Sequence, residues 1–366
     1  MKTFLKYTLL TLLWAGVAAY IVYAAMTAQK GRVARKVARV RIEVVDSTSR
    51  GYLVSSSRVR EWISRSGITT IGTAVDAVDL VGLEQLIARN GFVDRVDAYV
   101  AYEGTLHIGI SQRKPSLRLS IDGFDAYVTP EGYVFAVPLA SSLYVPVVTG
   151  SYRPPFAASY TGSVRAYVDG RRREIDAVIT QLEKEKYPVY KRERKNDEDL
   201  LKLRRMRVKR HWWRLERSAE FDKRVDELRE HKVRQRRACR YRAQVIQQEI
   251  DAISARQQAE RAKQKKLEKS YEDFMKLLTF VKQVEDDDFW RSEVVQIVAR
   301  STPSGALEVE LVPRSGDHRI LFGRIEQVDL KLEKLLRFYR SGLTSIGWDV
   351  YRIIDIRYKD QIVCKR

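Results

Sequence analysis

The side chains that could do chemistry are few and scattered. Ser315, Asp317 and His318 crowd together, and a hydroxyl, a carboxylate and an imidazole are the parts of a hydrolytic site. Groups this close in sequence rarely form a working triad, and Ser315-Gly316-Asp317 has the composition of a turn. The expectation is a turn carboxylate beside an exposed histidine. Glu285-Asp286-Asp287-Asp288 could hold a cation, but the solvated end of a helix explains it better. Trp212-Trp213, set among basic residues, could stack on bases or lie in a lipid headgroup layer. A helix with one ring packed and one exposed is the plainer account. His107, His211, His231 and His318 form no ligand pair. Cys239 and Cys364 are too far apart in sequence for a zinc spacing and define no disulfide framework. Nucleophile elbow, P-loop, H-E-x-x-H and dinucleotide fingerprints are all missing. The chain therefore reads as a non-enzyme, with no catalytic residue, metal or cofactor expected.

With side-chain chemistry sparse, the stretch best suited to recognition offers its backbone. In Tyr351–Cys364, Ile354, Ile356, Tyr358, Ile362 and Cys364 fall on one face. Asp355, Arg357, Lys359 and Gln361 fall on the other, which is the period-two pattern of a half-buried strand. Asp360 interrupts the apolar face, so a bulge or turn is expected around Lys359-Asp360-Gln361. A last strand with one polar face suits the edge of a sheet, where free N–H and C=O groups can pair with another chain. The alternative is an ordinary closing strand whose edge is blunted by Arg357 and Lys359.

Charge marks a second feature. Lys and Arg outnumber Asp and Glu by 67 to 47, for a net +20. Most of the excess lies between Arg171 and Ser270, with 32 basic against 18 acidic residues. Contact with an anionic surface or an acidic partner is one reading of this stretch, and a solvated projecting hairpin with no ligand is the other; no nucleic acid is expected.

The elements that must position these features follow from composition. Residues 1–6 form a short tail. The run from Tyr7 to Ala28 has no charge and would span about 33 Å as a helix, enough for a bilayer core. An uncleaved anchor is expected, with a cleaved signal peptide as the rival reading. A basic linker (29–36) leads to a small α+β module (37–113). Its strand over Val37–Val45 precedes two helices, one capped by Ser55-Ser56-Ser57 and ended by Gly67, the other capped by Asp79. A hairpin turning at Glu103-Gly104 completes it. Arg113-Lys114-Pro115 is a boundary, since Pro interrupts a strand ladder.

Residues 114–366 then read as a mostly antiparallel β domain. It is interrupted over about 164–270 by a helical, coiled-coil-like insertion without Gly after Gly170. A helix restart is expected at Asn196-Asp197, after Pro188. Val225, Cys239, Ile246, Ile253, Leu267, Phe274 and Val281 fall on a seven-residue ladder that Lys232 and Glu260 interrupt, a weak seam.

This order resembles the FtsQ/DivIB cell division family, with its membrane anchor, POTRA module and β domain. The resemblance is carried by Asp79-Leu80 with Leu83-Glu84, by Asn90-Gly91-Phe92-Val93, and by Thr105 to Pro115. It continues through Gly132-Tyr133-Val134-Phe135, Val145 to Gly150, Glu308 to Arg314, Ile320-Leu321-Phe322-Gly323 and Lys331 to Tyr339. It ends on Ile354-Asp355-Ile356-Arg357-Tyr358. The long insertion departs from the family pattern. The resemblance implies a single-pass protein of the bacterial cell inner membrane, N-terminus cytoplasmic and body periplasmic. It would act as a divisome scaffold in septum formation, docking FtsB/FtsL-like proteins by strand addition at the terminal edge. Ile354, Asp355, Ile356, Arg357, Tyr358 and Gln361 would contact the partner. The alternative is a POTRA-containing outer-membrane assembly or secretion factor that chaperones polypeptides, although no run of barrel strands is visible.

Overall fold

A computed structural model describes residues 13–26, 35–45, 53–121, 123–137, 143–210 and 217–366. Residues 13–26 form helix α1, with its side chains exposed. The rest of the expected span, 7–12 and 27–28, lies outside the described residues. Among the described residues no helix is long and apolar enough to cross a membrane. The chain divides into two compact units: residues 1–164 with 275–366, and residues 165–274.

The first unit begins with the small module. Strand β1 (Arg39–Val44), helices α2 (Ser56–Ser66) and α3 (Leu80–Ala88), and strands β2 (Val93–Val100) and β3 (Thr105–Gln112) follow in order. Both helices start where the polar residues dictate. The Ser55 side chain accepts from the backbone N–H of Arg58, and Asp79 from that of Gly82. Gly67 ends α2 in the left-handed conformation. The sheet order is β1-β3-β2, with β1 parallel to β3 and β2 antiparallel to it. One face buries Leu106, Ile108 and Ile110 against Val59, Leu83 and Ile87 of the helices.

The remaining strands form one ten-stranded mixed sheet: β4 (Leu117–Ile121), β5 (Phe124–Val128), β6 (Tyr133–Ala136), β7 (Val147–Gly150), β8 (Gly162–Ser163), β9 (Val294–Ser301), β10 (Leu307–Pro313), β11 (Arg319–Arg324), β12 (Ile353–Asp355) and β13 (Val363–Lys365). Their spatial order is β13-β12-β11-β10-β9-β7-β4-β5-β6-β8. The β4–β7, β7–β9 and β11–β12 pairs are parallel, the others antiparallel. The β7–β9 join brings residues distant in sequence together, and Gly150 makes it possible. At φ +115°, a Cβ there would stand 2.2 Å from the Ala299 carbonyl.

The module and the sheet share a core, in which Phe92 meets Phe135 edge-on at 5.9 Å between ring centroids. The boundary residue Arg113 also ties them together. It pairs with Asp94 at 2.7 Å and lies over the Tyr133 ring at 3.6 Å.

The second unit holds α4 (Val164–Arg205) and most of α5 (Ser218–Asp286). Here the sequence reading needs correction. Helix α4 runs unbroken through Pro188, with no restart at Asn196. Asn196 is buried within the helix, and its side-chain amide donates to the Cys239 carbonyl of α5 at 3.1 Å. A polar residue that would cap a helix elsewhere here joins two helices. Arg192 pairs with Glu249, and Asp199 faces Arg242 at 3.8 Å, so the helices run antiparallel. Their core is narrow, with Val189 against Ile246 and Ile250. Ile246 belongs to the expected ladder.

Candidate functional site

The C-terminal end of the sheet is built from β11, β12, β13 and the helices α7 (Val328–Phe338) and α8 (Thr344–Ile346), which follow the short α6 (Asp288–Glu293). The long terminal strand expected from the period-two pattern is in fact a hairpin. Strand β12 ends at Asp355, residues 356–362 turn, and β13 returns antiparallel, pairing Ile354 with Cys364. Asp360, in the middle of the run, falls in this turn. The edge of the sheet is therefore β13, and β12 lies one strand inward.

The six expected contact residues separate into two groups. Ile354 and Ile356 are fully buried, and Asp355 is 6% exposed. Arg357, Tyr358 and Gln361 are exposed in the turn. The Arg357 guanidinium is taken up internally: Nε donates to Asp355 Oδ1 at 2.9 Å and Nη2 to Oδ2 at 2.6 Å. Its backbone N–H adds a third bond to Oδ1 at 3.1 Å. Burial pushes the Asp355 carboxyl up, but the Arg357 hydrogen bonds and charge prevail and hold it below its ordinary value. Gly323 makes room for this arrangement. At φ +73°, a Cβ there would lie 2.6 Å from Arg357 Cγ.

Two lysines one turn apart on α7 fasten this end of the molecule. Lys331 Nζ donates to the carbonyls of Phe322 at 3.1 Å and Arg324 at 2.7 Å, at the end of β11. Lys334 Nζ reaches into the terminal turn, donating to the carbonyls of Ile356 at 3.1 Å, Gln361 at 3.3 Å and Tyr358. Burial lowers both ammonium pKa values. A single side chain thus gathers the backbone that joins the last two strands. Beside it lies a groove of about 480 Å³, lined by Leu330, Lys334, Arg337, Tyr358, Lys359 and Asp360 among others. Leu330 and Tyr358, 62% and 48% exposed, are apolar side chains on its rim. The arrangement offers a strand edge, an adjacent groove and exposed apolar contacts, which suits docking of a polypeptide. Neither the groove nor Lys334 was found from the sequence, where Lys334 is one more cation on an amphipathic helix.

Ser315 and His318, which could have suggested hydrolysis, make contacts within the fold. His318 is buried, not exposed as expected, and its Nε2 lies 2.8 Å from the Tyr339 hydroxyl. Burial lowers its pKa and raises that of Tyr339. Ser315 bonds Glu293 through both its hydroxyl and its N–H. Asp287 caps α6, accepting from the N–H groups of Phe289 and Trp290. No group of His, Cys, Asp and Glu able to hold a metal occurs among the described residues. Trp212 and Trp213 lie outside the described residues. Both cysteines are free thiols.

Comparison with known families gives two matches. Residues 35–111 match the POTRA-like domain, and residues 244–365 match the family described as FtsQ/DivIB, C-terminal related. No curated protein matches the chain.

Proposed function

Because the chain is an FtsQ/DivIB-family protein, we propose that it is a non-enzymatic scaffold of the bacterial division machinery, docking its partner at the C-terminal edge. The family matches support the scaffold role. The observation that supports the docking reading is the edge strand β13, led into by a turn whose residues Arg357 to Asp360 line a groove with α7. A partner segment adds to β13 by backbone pairing, and Tyr358, Gln361 and Leu330 supply side-chain contacts. FtsB/FtsL-like proteins are the expected partners. Arg357 positions the turn through its pairing with Asp355. The uncharged run from Tyr7 to Ala28 anchors the chain in the inner membrane, with the body on the periplasmic side. The basic helical unit makes a second contact, with an anionic surface or an acidic partner.

The test is affinity purification of the full chain from membranes, read for co-purifying division proteins. Tyr358→Ala is expected to weaken partner binding by about 1–3 kcal/mol with the melting temperature unchanged. Equal recovery of partners by Tyr358→Ala and Gln361→Ala variants would remove the docking reading.

A further inference from the structure

The basic excess of the helical unit is not spread along it. Asp199 faces Arg242 across the two helices and divides the unit into a part holding the C-terminal end of α4 with the start of α5 and a part away from them. Residues 200–210 and 217–242 carry 16 Lys and Arg against 5 Asp and Glu, a net of +11. Residues 165–199 with 243–274 carry 16 against 15, a net of +1. The kind of cation changes as well. The first part has 12 Arg and 4 Lys, the second 8 of each. Arginine is the side chain whose planar fork pairs bidentately with phosphate oxygens.

The described residues bring this charge together in space. Lys232 Nζ donates to the Met206 carbonyl, and the Arg210 guanidinium lies 5.5 Å from the Phe221 ring. The C-terminal end of α4 is therefore beside the start of α5. Arg204, Arg205, Arg207, Lys209 and Arg236 are exposed and form no ion pair among the described residues. Exposed Leu201, Met206 and Val233 stand among them. Cations interleaved with exposed apolar side chains suit the boundary between lipid headgroups and acyl chains, which an acidic polymer in water does not offer.

We infer that residues 200–210 and 217–242, at the C-terminal end of α4 and the start of α5, dock on an anionic phospholipid surface, through arginine–phosphate pairing with shallow apolar insertion. This rests on the reading of the basic unit as a contact element and gives that contact a place and a ligand class. It is independent of docking at β13.

The test uses the full chain in nanodiscs of neutral lipid, immobilised, and measures capture of separate fluorescent vesicles. Vesicles containing about one third phosphatidylglycerol should be captured, and purely phosphatidylcholine vesicles should not. Capture should fall steeply as salt rises toward about 0.5 M. Arg207→Glu, Lys209→Glu and Arg210→Glu together should reduce capture at least tenfold. Lys265→Glu, Lys266→Glu and Lys269→Glu make the same change of charge in the balanced part, and should leave capture within about twofold. Circular dichroism of both triple variants should match the parent helix content. Tyr358→Ala should capture vesicles normally, which separates this result from the docking reading. Equal losses in the two triple variants would overturn the proposal, as would capture of neutral vesicles. Binding of soluble polyglutamate without vesicle capture would overturn it in favour of an acidic polymer.

Discussion

Replacing Lys334 by Met keeps an apolar stem of similar length and removes the ammonium that gathers the terminal turn. A hydrogen bond to a charged donor contributes about 1.5–3 kcal/mol where water cannot replace it. The carbonyls concerned differ in that respect. Tyr358 and Gln361 are exposed, so water takes over their acceptors in the variant. Ile356 is fully buried, and its carbonyl has Lys334 as partner at 3.1 Å. The variant also escapes the cost of burying a charge, which is what lowers the Lys334 pKa. The net cost is therefore about 1–2 kcal/mol, well below the sum of the bonds, or roughly 2–6 °C in melting temperature for a unit of this size. The local effect is larger than the global one, since the turn loses the cation that its carbonyls share. Hydrogen exchange with mass spectrometry should show amides of residues 356–363 exchanging about tenfold faster, with the β9–β10 core unchanged. Partner binding should weaken in parallel. Unchanged exchange in this segment, with a melting temperature within about 1 °C, would refute the assignment of Lys334 as the support of the edge.

Three further outcomes are expected. Gly323→Ala introduces a Cβ where φ is +73° and Arg357 Cγ is 2.6 Å away, so it should destabilise by about 1–2 kcal/mol in chemical denaturation, with more rapid exchange around Asp355. The Asp355 carboxyl is held below its ordinary value, so its contribution to stability is full above about pH 4 and is lost as pH falls through the depressed native value. Melting temperatures of the parent and Asp355→Asn, followed from about pH 6 to 2, should converge on the acid side. Replacing Arg171–Ser270 by a short Gly/Ser linker should remove a large helical signal in circular dichroism while changing the cooperative melt of the rest little. Few side chains are buried between the helices, with Val189, Ile246 and Ile250 as their core. Failure of the shortened chain to fold would show that the helical unit supports the sheet.

Local signals in the sequence were sufficient for the small module. Ser55, Asp79 and Gly67 act on their own helix ends, and the β2–β3 hairpin pairs neighbours in sequence, so the interactions lie within a few residues of the signals. The β11 segment and the apolar face of α7 were legible for the same reason, as Leu332 and Leu335 are buried at helical spacing. Period-two alternation from Ile354 to Cys364 also identified strand-forming residues. It could not say whether they make one strand or two, because a hairpin and a bulged strand alternate alike on either side of Asp360. The turn that makes them two is held by Lys334, which comes more than twenty residues before it. Likewise Pro188 and Asn196 carry the local marks of a helix break, yet α4 continues through them because α5 packs alongside and Cys239 offers Asn196 an acceptor. His318 looked exposed in a turn-rich run, and Tyr339, brought from another element, buries it. In each case the deciding group is remote in the chain. Propensities and caps are set by near neighbours and can be read in order; hydrogen bonds between distant segments exist only once the sheet and helices have brought those segments together.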